Sequence, residues 1–139
     1  MKRAIPDQTE RARQLLAHEG AGPSATAGEW ATAAGQVYDQ LHAHLDPLLG
    51  AAGVQALLVR STKLTASEFS FLEGAILERS TTLHDCLRAQ EAAVAADAAA
   101  ALFGNFFALI STFIGERLTT QVLRRAWPMI EETGPRETE

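Results

Sequence analysis

The chain has 139 residues, 47% apolar and 21% charged, a balance that supports one domain with a real core and excludes global disorder. Its net charge is −5; four acids against Arg136 in residues 131–139 hold −3 of this and leave −2 on the rest, which lacks the electrostatic footprint of a general nucleic-acid binder. The single cysteine, Cys86, excludes an internal disulfide and makes a reducing cytoplasm the default expectation for location.

Alanine, leucine, glutamate, glutamine and arginine dominate, and these residues lose least on entering a helix. No stretch alternates β-branched and polar residues over a strand length, so the fold class is all-α, a bundle of five or six helices. Residues 1–23 read as an N-terminal arm with one short helix: Asp7 and Glu10 make a capping-box-like start, Leu15 and Leu16 form a thin apolar face, and Gly20, Gly22 and Pro23 stop it. No apolar signal core follows Met1-Lys2-Arg3.

Residues 24–130 form the bundle proper. Thr26 and Glu29 are a capping box, and Trp30, Ala34, Val37, Leu41, Leu45 and Leu48 recur at spacings of three and four along one stripe. Asp46-Pro47 predicts a break and a new start, with a third helix from Pro47 to about Lys63. Its inner face is Val54, Leu57, Leu58, Ser61 and Leu64, and Gly50 and Gly53 each weaken its first turns by ~1 kcal/mol. A second capping box, Thr65 with Glu68, predicts a short fourth helix burying Phe69, Leu72 and Ile76. Ser80-Thr81-Thr82 is a polar joint, after which Leu83, Leu87, Val94 and Ala101 share a face.

No proline interrupts Leu83 to Trp127, and an unbroken helix there would be ~67 Å long. That is too long for a domain of this size, so the stretch must break or pair with another chain. Gly104-Asn105 is the best internal turn signal and Gly115 the second. Pro128 ends the last helix, and residues 131–139 read as an acidic disordered tail.

Three sets of residues in the C-terminal half are candidates for function. Gly104, Ala108, Ser111 and Gly115 form a small-residue stripe that lets a second helix approach closely, a candidate interface. Phe103, Phe106, Phe107 and Phe113 are the candidate lining of an apolar pocket. Arg117, Gln121 and Arg124 stand at i, i+4 and i+7, so their side chains point the same way, a candidate contact for an anion or an acidic partner. The apolar run Ala98–Ile114 approaches the length of a membrane helix but is flanked by Asp97 and Glu116-Arg117.

Catalytic and metal chemistry find little purchase. His18, His42, His44 and His84 include no pair at metal-ligand spacing, and His42 and His44 point to different sides of a helix. His84 points about 160° away from Cys86 on an ideal helix, so the thiol has no adjacent base. No phosphate loop, nucleophile elbow or paired-carboxylate signature is present. Leu64 to Leu77 resembles the opening helix of response-regulator winged-helix domains, but no basic recognition helix or wing follows.

Gly50-Ala-Ala-Gly-Val-Gln-Ala-Leu-Leu-Val-Arg-Ser, with Thr112-Phe-Ile-Gly-Glu-Arg-Leu-Thr and Ala126-Trp-Pro, resembles small uncharacterised bacterial helical proteins over about residues 45–128. The resemblance implies a bacterial helical protein and attaches no activity to it. The expectation is therefore a non-enzymatic helical interaction or regulatory protein, adaptor-like and self-associating. It would have no cofactor and no catalytic or metal residues, and its partner would be a second copy or another protein. A small apolar-ligand or cofactor-binding domain is the alternative, and a membrane-associated helical protein the further one.

Overall fold

The computed structural model describes residues 4–20, 22, 24–73 and 80–128. Among them are six α-helices, one 3-10 turn and no strand: α1 (Ala4–His18), α2 (Ala27–Leu49), α3 (Ala51–Ala66), the turn Ser70–Leu72, α4 (Ser80–Arg88), α5 (Ala92–Ile114) and α6 (Glu116–Ala126). Of the predicted fourth helix, residues 69–73 form only the 3-10 turn Ser70–Leu72, while Ile76 and the acidic tail at 131–139 lie outside the described residues.

α5 is the centre of the bundle, packed against α1, α2, α3, α4 and α6. Its buried face runs from Ala95 to Ile110 and includes Leu102, Phe103, Phe106 and Phe107. α5 is long and apolar enough to cross a membrane by length and composition, and 61% of its most apolar stretch is buried inside the bundle. The helix of the N-terminal arm docks on α5. α1 runs antiparallel to α5, with Thr9 seated on Gly104 and Arg13 Nη2 2.9 Å from Asp97 Oδ1. Ala12, Leu15 and Leu16 of α1 are buried in the core.

α2 starts where its capping box places it. Glu29 N–H donates to Thr26 Oγ1 at 3.1 Å and Thr26 N–H donates to Glu29 Oε1 at 2.9 Å. It does not stop at Asp46-Pro47; Pro47 lies inside the helix, two residues before its end at Leu49. The joint is Gly50 instead, at φ 85°, a conformation side chains with a Cβ resist. Gly50 N–H closes α2 on the Asp46 carbonyl (2.8 Å), and the Gly50 carbonyl accepts from Val54 N–H (3.0 Å) to open α3. One residue thus ends one helix and starts the next. Gly115 repeats the device at φ 93° between α5 and α6, closing on Ser111 O (2.9 Å) and accepting from Thr119 N–H (3.1 Å).

The long C-terminal stretch therefore breaks at the second of its two predicted turns, not the first. It also breaks at residues 89–91, between α4 and α5, where no turn residue stands. Gly104-Asn105 runs on as helix because both residues have tertiary uses: Gly104 receives α1, and Asn105 Nδ2 donates to Thr65 Oγ1 at 2.9 Å. Thr65 is not a cap either. It lies within α3 and its hydroxyl donates to Ser61 O at 2.7 Å. Two residues placed on inner faces by periodicity are exposed, Leu48 (52%) and Leu64 (45%).

α6 buries Thr119, Val122 and Leu123 and is anchored by Trp127, whose Nε1–H donates to Glu19 Oε2 at 2.8 Å. This bond ties the end of α6 to the end of α1.

Candidate functional site

The small-residue stripe is not one open surface. A Cβ on Gly104 would lie 2.9 Å from Thr9 Oγ1, 3.0 Å from its Cα and 3.1 Å from its N, so α1 of the same chain already makes the close approach that glycine permits. Ala108 and Ser111 are half-buried, Ser111 Oγ has no hydrogen-bond partner among the described residues, and Gly115 is an exposed helix joint. At Gly104 the expected surface for a second copy is filled from within.

The four phenylalanines do not line a pocket together. Phe103, Phe106 and Phe107 are fully buried core, and Phe106 and Phe107 meet edge to face with ring centroids 6.1 Å apart. Phe113 is 69% exposed. It stands one turn beyond Ile110, the last residue of α5 that the core covers. A cleft of about 620 Å³ does exist elsewhere, where the C-terminal half of α1, the start of α2 and the first turns of α5 diverge. Alanines form much of its wall, with Trp30, Glu10 and Arg13 beside them. Arg13 already pairs with Asp97 and Glu10 carries the opposite charge, so the lining selects no one class of ligand.

The basic face is where the spacing places it. Arg117, Gln121 and Arg124 are all exposed on α6, whose opposite side packs on the bundle. Leu118, 37% exposed, and Arg125 are exposed on the same helix. Phe113 is exposed across the Gly115 joint, at the corner where α5 meets α6. Leu118 and Arg125 were missed by the sequence reading. Spacing alone hides Leu118, because it stands four residues before the buried Val122 and reads as part of that stripe, whereas Arg125 aligns with Leu118 at i+7.

Two of the four histidines, His42 and His84, reach between helices. His42 Nδ1 lies 2.8 Å from Asp46 Oδ1 and Nε2 lies 3.3 Å from Gln55 Oε1, which also accepts from Tyr38 OH at 3.1 Å. This network fastens α2 to α3 beside the Gly50 joint. His84 Nε2 is 3.5 Å from Thr32 Oγ1, and Nδ1 is 3.7 Å from Asp85 Oδ1. That order of groups has the look of a hydrolytic triad, but the Thr32 hydroxyl donates its proton to Gly28 O at 3.0 Å. Its proton is not presented to the imidazole, so it gains no activation as a nucleophile. Among the described residues no group of three His, Cys, Asp or Glu side chains is placed to hold a metal ion.

Burial, and after it the Asp85 carboxylate, pushes the Cys86 thiol above its ordinary value. The neutral thiol therefore prevails at physiological pH, and the thiolate is the reactive form. Alkylation of Cys86 by iodoacetamide is expected to be slower in the native chain than in the urea-unfolded chain at pH 8. Its rate should still be climbing, about tenfold per pH unit, where the unfolded chain begins to level off. Mass spectrometry of the adduct over pH 7–10 checks this. A native rate that plateaus near pH 8 would show an activated cysteine instead.

Comparison of the chain with protein-family models, with curated proteins and with solved structures finds no match.

Proposed function

We propose that this chain is a non-enzymatic helical interaction protein, adaptor-like or regulatory, and that its working surface is the α5–α6 corner. The observation that carries the reading is Phe113. A phenylalanine 69% open to water, with Leu118 37% exposed across the Gly115 joint, is apolar surface that folding leaves unused. Aromatic and arginine side chains are the types enriched at protein interfaces, and the corner combines them. Self-association belongs to the same proposal, with its place changed. With Gly104 filled by Thr9, the small-residue stripe loses the close approach it would offer a second copy, and the crosslink below tests whether the corner takes one. The apolar-ligand alternative loses its phenylalanine lining, since three of the four rings are core.

A photo-crosslinking amino acid, p-benzoylphenylalanine, placed at Leu118 in the cells that make the protein tests this reading. A discrete protein adduct is expected, and it should disappear in Phe113→Ser, which removes no buried group. An adduct of twice the chain's mass assigns the corner to a second copy. Only diffuse labelling, or a discrete adduct that survives Phe113→Ser, overturns the assignment.

A further inference from the structure

The charge at the corner says what kind of partner fits, and this inference rests on the interaction reading above. α6 carries one acid, Glu116, against Arg117, Arg124 and Arg125, all exposed, within a chain of net charge −5. Positive charge is thus concentrated on a protein that is otherwise acidic. Arg124 is already engaged within the chain, which leaves Arg117 and Arg125 to lead any contact. They are exposed, and Arg125 lies two turns along α6 from Leu118, the partly exposed leucine beside Arg117.

We infer that the corner seats an acidic amphipathic segment of a protein partner, its apolar side chains on Phe113 and Leu118 and its carboxylates on Arg117 and Arg125. Guanidinium groups bind carboxylates through two parallel hydrogen bonds, which adds register to the attraction. An isologous pairing of two such corners is disfavoured, because it sets arginine against arginine. An anionic membrane fits less well. Polybasic membrane anchors use four to eight clustered cations, as an order of magnitude, and here two apolar side chains and three arginines belong to a chain that a negative leaflet repels.

The test uses the full chain and three probes. The first is a fluorescein-labelled helical peptide of Leu, Ala and Glu with leucine at every third or fourth position. The second is the same peptide with lysine in place of glutamate, and the third is phosphatidylserine–phosphatidylcholine vesicles. Saturable binding of the acidic peptide by fluorescence anisotropy is expected. It should weaken about tenfold in Phe113→Ser and in the double variant Arg117→Glu, Arg125→Glu, and weaken with added salt. These positions are exposed, so circular dichroism should show the variants folded. Equal binding of both peptides, no binding of either, or tighter binding to vesicles than to the acidic peptide overturns the inference. A discrete adduct at position 118 would then leave the interaction reading standing with a partner of other chemistry, and its absence would remove both.

Discussion

Gly104→Leu is expected to detach α1 from the bundle and to cost at least about 3 kcal/mol of stability. The argument starts from the space at Gly104. Two of the three atoms nearest an added Cβ, Thr9 Cα and N at 3.0 and 3.1 Å, are backbone and cannot swing away. Alanine gains ~1 kcal/mol in helix propensity over glycine, yet forces α1 to back off, and overpacking of this kind costs about 1–3 kcal/mol. Gly104→Ala should therefore lose about 1 kcal/mol net. Leucine needs the volume α1 now fills. If α1 leaves, Ala12, Leu15 and Leu16 go with it, and each buried leucine is worth about 1.5–3 kcal/mol. Urea unfolding gives the energies, and limited proteolysis within residues 4–20 reports the detachment. A Gly104→Ala variant more stable than the parent would mean that propensity decides at this position and that α1 is not seated there.

Gly104 also shows which features of this fold the sequence could and could not reveal. The Thr26–Glu29 box was legible because both hydrogen bonds close within four residues. The same Ser/Thr-x-x-Glu spacing at Thr65 misled, because a threonine inside a helix turns its hydroxyl back to the carbonyl four residues before it, and Thr65 also receives Asn105 from α5. Asp46-Pro47 looked like a boundary on local grounds. The missing proline N–H falls so close to the end of α2 that the last turn still closes, through Gly50 on Asp46. The break at residues 89–91 carries no local signal, since Ala89, Gln90 and Glu91 are all good helix formers. It is imposed by packing: α4 lies against α2 while α5 takes the centre of the bundle. A glycine that permits a turn and a glycine that permits a close approach look alike in sequence, and here Gly115 is the first and Gly104 the second.

The candidate site divides on the same principle. Arg117, Gln121 and Arg124 are all exposed on α6, as a shared helix face read from spacing alone allows. Phe113 was grouped with the buried phenylalanines because it has their periodicity. The last fully buried residue of α5 is Ile110, one turn before it, and how far the core covers a helix is not contained in its periodicity. The feature that now carries the functional proposal was thus visible as a residue and invisible as a surface.

Trp127→Ala is expected to cost about 3–5 kcal/mol, the range for truncating a buried large aromatic. Trp127 is fully buried at the end of α6, and its indole reaches α1 at Glu19, so two losses coincide. Two further variants separate them. Trp127→Phe keeps most of the apolar area and removes the donor; hydrogen bonds to charged acceptors are worth about 1.5–3 kcal/mol, at the low end here because Glu19 is partly open and water can replace the indole. Glu19→Gln keeps an acceptor in place and should cost less than Trp127→Phe. The expected order of stability is therefore parent, Glu19→Gln, Trp127→Phe, Trp127→Ala, read by equilibrium urea unfolding followed by circular dichroism. Trp30 remains as an internal fluorophore in every variant. If Trp127→Ala loses less than about 1 kcal/mol, α6 is not held by its end and the corner it presents has no fixed geometry. A loss in the full range with Trp127→Phe near the parent would place the anchor in apolar burial alone. The indole–carboxylate bond would then serve to set where α6 ends against α1 rather than how firmly.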